Sequence, residues 1–365
     1  MMQSIPNAVR RLPAYVHVGT KQSYRLRKQL PLHQMIRHLS AAPAPSPTTD
    51  TSHHIHNRTL VQSRDYESFL IGLLHPSNIQ PSYYSLRAFN VEIASIQAKE
   101  SGVASMRMKW WSDAIQTLYS SSYDTESGTA SSATGILSNP TVLGLNQAIH
   151  THNLTQRFLE RMVETRMGDL QKSNNSNSTG MAMFDSMNDM INFFERTNST
   201  FLFLNLECCG VIDEEADKVA NCIGVASGIV NMIRSIGCGH VGIPRDLIEK
   251  HGIQVSCIND PTEIVAGNDE EARIAVKNAV RQMAEIAGKY LSHARLHQGD
   301  VPKEGKCAML PAVSALRYLD SLKNVDFDVF EEKIREVENT DSFNGRLWRF
   351  GHMMYLGRAH ITGVF

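Results

Sequence analysis

The first 49 residues contain no Asp or Glu, yet they carry seven Lys/Arg: Arg10, Arg11, Lys21, Arg25, Arg27, Lys28 and Arg37. An acid-free, Arg-rich, Ser-containing leader has the composition of a mitochondrial transit peptide, drawn in by the membrane potential and read as an amphipathic helix. The competing reading is a solvated basic arm for nucleic acid, but such tails usually carry some acids. Here Leu12, Tyr15, Val16, Val18, Tyr24, Leu26, Leu30, Leu32 and Ile36 are interleaved with the cations, which suits an imported helix. Arg37-His38-Leu39-Ser40 marks the expected processing point, so residues 1–39 are assigned as the transit peptide.

Other absences narrow the class further. From residue 40 onward the chain has 29 Lys/Arg against 37 Asp/Glu, a formal charge of −8 that provides no global field for nucleic acid. No run reaches the roughly eighteen uninterrupted apolar residues of a spanning helix. A soluble or peripherally attached protein is therefore expected. The six cysteines (Cys208, Cys209, Cys222, Cys238, Cys257, Cys307) include no C-x-x-C pair to suggest zinc or a redox couple, and most read as small buried hydrophobes. His53, His54 and His56 lie in a Pro/Ser/Thr-rich stretch, and residues 40–60 are read as a disordered linker with no metal role.

What is present is helix after helix, so the fold class is all-α, a bundle-like domain over residues 61–340 followed by an amphipathic extension, 341–365. Tyr66 to Leu74 is a short periodic segment. A helix starting near Pro81-Ser82 has apolar or small residues around most of its circumference and should be central. Met108, Trp111, Ile115 and Leu118 recur at helical spacing. Residues 120–138 read as an unstructured polar insertion, after which Asn139-Pro140 supplies an N-cap and a first-turn proline. Helices are expected at 155–171 and 183–206, the latter one stripe of about six turns, then at 214–236, 273–297, 312–322 and 328–338. Ala220, Gly224, Ala226, Ser227 and Gly228 would permit close helix contact. Gly237-Cys-Gly-His-Val-Gly242 spells G-x-G-x-x-G, but a helix precedes it and Pro244 follows, so it is a helix-terminating loop rather than a dinucleotide site.

Two segments carry a family resemblance. Arg87-Ala-Phe-Asn-Val-Glu-Ile-Ala-Ser-Ile-Gln-Ala98 resembles the first substrate helix of the phytoene/squalene synthase family, in which Y-A-F-C-R-x-x-D-D-x-x-D is expected. Gly224-Val-Ala-Ser-Gly-Ile-Val-Asn231-Met-Ile-Arg234-Ser-Ile-Gly-Cys-Gly is similar to its partner, G-x-A-x-Q-L-T-N-I-x-R-D-x-x-E-D. Gly242-Ile-Pro-Arg-Asp246 through Gly252-Ile, Arg107 to Trp111, and Leu310-Pro311 fit the same order and spacing. The resemblance implies an isoprenoid-synthase fold in which facing carboxylate clusters hold Mg²⁺ around a diphosphate.

Here those carboxylates are replaced. The expected acids fall at Ala94, Ser95 and Ala98 on the first helix, and at Ser235, Cys238 and Gly239 on the second; only Asn231 and Arg234 persist there, with Glu92 the nearby acid on the first. Missing metal ligands remove what is commonly the largest catalytic contribution. No catalytic residue, metal or cofactor is assigned, and Arg87, Asn90, Glu92, Ala94, Ser95, Ala98, Arg107, Trp111, Asn231, Arg234 and Ser235 are retained as vestigial pocket candidates. Asn231 and Arg234 are expected to satisfy each other or nearby helix ends. A residual enzyme with relocated ligands (Glu92, Glu207 or Asp246) and a non-catalytic lipid binder with a long apolar channel are the alternatives. Within the family, Arg64-Asp-Tyr-Glu, Met106-Arg-Met-Lys-Trp-Trp and His152-Asn-Leu-Thr-Gln-Arg are similar to a non-catalytic branch that assists assembly of mitochondrial respiratory complex I. That similarity implies complex I subunits or assembly intermediates as partners, peripheral attachment to the matrix side of the inner membrane, and early action on the module built on NADH dehydrogenase subunit one. The segment Arg346–Arg358 mixes cations with apolar residues; it suits either a membrane surface or, by preference, packing on the bundle.

Overall fold

The computed structural model describes residues 52–96, 101–120, 135–175, 184–338 and 343–365; the expected transit peptide, Ala98, and positions 121–134 of the polar insertion lie outside these. In chain order the helices are α1 (Ser52–Arg64), α2 (Tyr66–Leu73), α3 (Gln80–Ala94), α4 (Ser101–Tyr119), α5 (Pro140–His152), α6 (Gln156–Asn175), α7 (Met187–Phe194) and α8 (Thr200–Cys208). They continue as α9 (Glu214–Gly237), α10 (Arg245–His251), α11 (Val255–Asn259), α12 (Thr262–Val265), α13 (Glu270–His297), α14 (Pro311–Asn324), α15 (Glu332–Glu338) and α16 (Phe343–Thr362). No strand occurs among the described residues, and the all-α expectation holds.

Local chemistry sets the boundaries. The Asn139 side chain accepts from the N–H groups of Thr141 (2.8 Å) and Val142 (3.2 Å), and Pro140 needs no partner in the first turn of α5. Asp213 caps α9 by accepting from Ala216 N–H at 2.8 Å, with Glu214, Glu215 and Asp217 at the positive end of the dipole. After Gly237 the chain turns through Gly239 at φ +80°, as the loop reading of the glycine string required.

The helix α9 is the axis of the molecule. By length and composition it could cross a membrane, but its apolar side chains are buried, packed chiefly against α13 and also α14. Two of its glycines permit a further close contact, with the end of α7 and the turn that follows it: a Cβ on Gly224 would lie 2.5 Å from the Ser199 backbone, and one on Gly228 would lie 2.2 Å from the Phe194 ring. Phe194 precedes and Ser199 ends a π turn, Glu195–Ser199, which divides the stripe expected as one continuous helix. A π turn adds a residue to the helical turn without a strong sequence mark, so periodicity could not place it.

Two expectations change. Residues 52–60, read as linker, belong to α1, because Asn57 and Val61 sit on one face and both are fully buried. Asn57 donates to the Ser85 hydroxyl at 3.1 Å, and Gly144 of α5 lies against both side chains. The second is α3, which stops at Ala94, with Ser95 capping it, and does not continue toward position 98. The terminal helix α16 packs on the bundle, the preferred expectation, through one face only. His352, Leu356 and Ala359 are buried against the bundle, while Leu347, Phe350, Met353, Met354 and Ile361 are exposed.

Candidate functional site

A cavity of about 380 Å³ opens between α2, α3, α9, α14 and α16. Of the pocket candidates, Arg87, Asn231 and Arg234 line it. They come from the two helices that carried the resemblance, and α8 adds Phe201 and Leu202.

The arginines are neutralised from a direction the motifs did not reveal. Asp65 and Glu67, at the start of α2, also face the cavity. Arg87 donates to Asp65 Oδ2 and lies over the Phe201 ring, 5.0 Å from its centroid. Arg234 reaches Glu67 Oε1 at 3.0 Å and lies 4.6 Å over the Tyr318 ring. Arg234 therefore pairs with α2, rather than with Asn231. Burial pushes the Glu67 carboxyl up, but the Arg234 charge and hydrogen bond outweigh it and leave the carboxyl below its ordinary range. The wall from α16 is equally specific: Trp348 stacks on His352 with centroids 5.0 Å apart, and His352 hydrogen-bonds the Ser314 hydroxyl at 3.0 Å. Burial lowers His352 to about 4, so at neutral pH it is an uncharged imidazole.

The remaining candidates lie elsewhere. Asn90 accepts from Arg166 at 3.0 Å. Glu92 accepts from the Thr141 hydroxyl, which ties α3 to α5. Ala94 and Ser95 are exposed, and Ser95 bonds back to the Glu92 carbonyl at 2.7 Å. Arg107 is exposed, and Trp111 is a core residue packed edge-on to Phe89 with centroids 5.2 Å apart. Ser235 bonds to the Met232 carbonyl at 2.7 Å near the end of α9. None of these lines the cavity. The relocated acids are also dispersed into structural work: Glu207 accepts from Thr155 N–H (2.9 Å) and its hydroxyl (2.6 Å) ahead of α6, and Asp246 accepts from Met187 N–H (3.1 Å).

The cavity thus differs from the long apolar channel that the family resemblance implied. Two arginine–carboxylate pairs, two further arginines (Arg64 and Arg349), Ser68, Ser227, Asn198 and Asn231 share its lining with Leu70, Val230 and Phe201. Such a site can orient polar groups by hydrogen bonds, but both cavity carboxylates are already bound to arginine. The only trace of Asp65 and Glu67 in the sequence was the Arg64-Asp-Tyr-Glu segment, which has no periodic or motif signal pointing to α9. A further buried acid was missed altogether: Glu195, in the π turn, is pushed up to about 7 by burial and receives an Asn221 hydrogen bond at 3.4 Å.

Comparison with known proteins agrees with this architecture. The squalene/phytoene synthase family model matches residues 61–340. Among solved structures, squalene synthase HpnC from Alicyclobacillus acidocaldarius superposes with a TM-score of 0.57 at 15% identity, covering 76% of this chain and 95% of that one. A curated mouse protein (Mus musculus), NADH dehydrogenase (ubiquinone) complex I assembly factor 6, is 31% identical over 315 residues, 85% of each chain. The Dictyostelium discoideum homologue of that assembly factor is 24% identical over 74% of this chain and 70% of its own. With its helical order, its paired central helices and a family match over most of its length, the chain belongs to the squalene/phytoene synthase family.

Proposed function

We propose that this chain is a mitochondrial assembly factor for respiratory complex I, built on a synthase fold without ionisation chemistry. The observation that carries this is the similarity to complex I assembly factor 6 over 85% of both chains. The cavity supports it independently. At the positions where the family places metal-binding acids, this chain has Ala94, Ser95 and Ser235, none of which lines the cavity. The two acids that do line it are committed to Arg87 and Arg234. Carboxylates so engaged are poor ligands for a hard octahedral cation, whose binding would have to displace both arginines.

The finer reading places the protein at the matrix side of the inner membrane, early in assembly, with the module built on NADH dehydrogenase subunit one as its client. The exposed Leu347, Phe350, Met353, Met354 and Ile361 of α16, with the exposed Arg358 on the same helix, suit peripheral attachment to an anionic membrane surface.

The test is depletion of the protein followed by native electrophoresis of respiratory complexes. Selective loss of complex I, with stalled intermediates containing subunit one, is expected; normal complex I would overturn the proposal. In parallel, the purified chain is incubated with Mg²⁺ and farnesyl or geranylgeranyl diphosphate. No product is expected, and any Mg²⁺-dependent product would favour a residual transferase.

A further inference from the structure

Three side chains that are far apart in the sequence meet away from the cavity, in the core. His75 follows α2, Cys209 caps the end of α8, and Cys307 lies in the 3₁₀ turn Lys303–Met309. All three are buried, at 3%, 8% and 7% exposure, and one donor atom from each lies within 4.8 Å of the other two. We propose that His75, Cys209 and Cys307, together with the side-chain oxygen of Asn205, form a closed structural site for one Zn²⁺ ion.

The hydrogen bonds around His75 favour a cation here. His75 Nδ1 is 3.1 Å from the Ile71 carbonyl oxygen. A carbonyl can only accept, so Nδ1 carries the proton and Nε2 is left with a lone pair. That is the arrangement seen in metal-binding histidines, whose second ring nitrogen is held by a backbone carbonyl or a carboxylate. Nε2 in turn lies 3.2 Å from the Asn205 side-chain amide, which can present its oxygen to an ion or its NH2 to Nε2 when no ion is bound. The Asn205 amide nitrogen has no hydrogen-bond partner, so the amide is free to turn its oxygen toward an ion. Beside them the Cys209 and Cys307 sulfurs are 3.5 Å apart.

These separations match tetrahedral coordination. Bonds of about 2.3 Å to sulfur and about 2.0 Å to nitrogen or oxygen put two sulfurs about 3.8 Å apart and the N/O pair about 3.3 Å apart. Two thiolates and an imidazole are a donor set for borderline-soft Zn²⁺ and a poor one for Mg²⁺. On binding, both thiols release their protons to solvent, and the two thiolate charges then balance the ion. With four protein donors and no open position, the site would be structural. It would tie the end of α2, the helix that supplies Asp65 and Glu67 to the cavity, to α8 and the 3₁₀ turn.

The test uses the full chain, reduced and metal-stripped. Titration with Zn²⁺ against a chromophoric chelator should give one ion per chain. Co²⁺ should give thiolate charge-transfer bands near the ultraviolet and the intense visible bands of a tetrahedral site. Cys209→Ser and Cys307→Ser should each weaken binding by about 100-fold and Asn205→Ala by about 10-fold, in the range of ligand and supporting-shell losses. Cys238→Ser, exposed and remote from the cluster, should bind as the parent does. Because a core variant can fail to fold, the unchanged chain is also alkylated in mild urea and mapped by mass spectrometry. Zn²⁺ should protect Cys209 and Cys307 selectively. Absence of thiolate bands, bands that survive both serine substitutions, no selective protection, or a Cys209–Cys307 disulfide in place of metal uptake would each overturn the proposal.

Discussion

The two helices that carry the family resemblance have diverged to different degrees. The helix α9 runs unbroken from Glu214 to Gly237, and Asn231 and Arg234 face the cavity. By contrast α3 ends at Ala94, delivers Arg87 and Tyr83 but none of the positions aligned with the metal-binding acids, and leaves Ala94 and Ser95 in solvent. The difference follows from packing. At Gly224 and Gly228, α9 lies so close to Ser199 and Phe194 that its path is fixed by contact, whatever happens to its charges. The end of α3 has no such constraint, and Glu92 there serves as a tie to Thr141. Shape is retained where the core enforces it, and charge is lost where only chemistry would have required it.

The strongest way to break the contrast is to disturb the α9 contact. Gly224→Ala places a methyl 2.5 Å from backbone atoms of Ser199, and those cannot rotate away. It should cost about 3 kcal/mol or more, read as a lower urea midpoint with unchanged slope. Ala94→Asp, at the exposed end of α3, is the matched control.

Next is the buried acid of the π turn that α9 packs against. The Glu195 carboxyl is raised from 4.5 to about 7, so between those pH values the folded chain binds more protons than the unfolded one. Its contribution is therefore full below pH 4.5 and is lost as the pH rises through 7. Glu195→Gln should raise stability by about 2–3 kcal/mol at pH 8, and by much less at pH 5, which denaturant titration at the two pH values would show.

A smaller effect is expected at the ion pair that connects α9 to α2. Arg234→Met leaves Glu67 facing the cavity without its closest cation and should cost about 2 kcal/mol. The parent's pair is lost as pH falls, because the Glu67 carboxyl sits below its ordinary value when folded. The loss in Arg234→Met should thus be large at pH 7 and shrink toward pH 4. A second change, Glu67→Gln, should recover part of it. Equal losses at both pH values would mean that the Tyr318 contact, rather than charge, holds Arg234.

The smallest expected effect sharpens the functional side of the comparison. Ala94→Asp with Ser95→Asp restores carboxylates to the motif positions of α3. Because both positions are exposed and outside the cavity, stability should change by no more than about 0.5 kcal/mol, and no Mg²⁺-dependent turnover of a prenyl diphosphate should appear. Turnover in this variant would show that the end of α3 can reach the cavity.

Much of the helical order was legible because its signals are local. Asn139-Pro140 announced α5, Gly237–Gly242 announced a stop, and the small residues of α9 announced a tight contact. The helix α1 was hidden in a polar, His-rich stretch because only Asn57 and Val61 anchor it, and their partners Ser85 and Gly144 lie on other helices. The candidate site was half legible. Arg87, Asn231 and Arg234 could be aligned to a motif, but Asp65 and Glu67 became their counter-charges only when α2 folded across the cavity mouth.

By itself, then, the sequence determined the class: an all-helical chain whose order and spacing place it in a synthase family, with acids absent from the motif positions. Periodicity, caps and breaks act over a few residues, and a motif can be read along one helix. Tertiary structure decided which charges face each other, that the cavity is lined by paired ions instead of a purely apolar wall, and that His75, Cys209 and Cys307 share one site. Those outcomes depend on distances between helices, set by the packing of glycines and core side chains distributed over the whole chain.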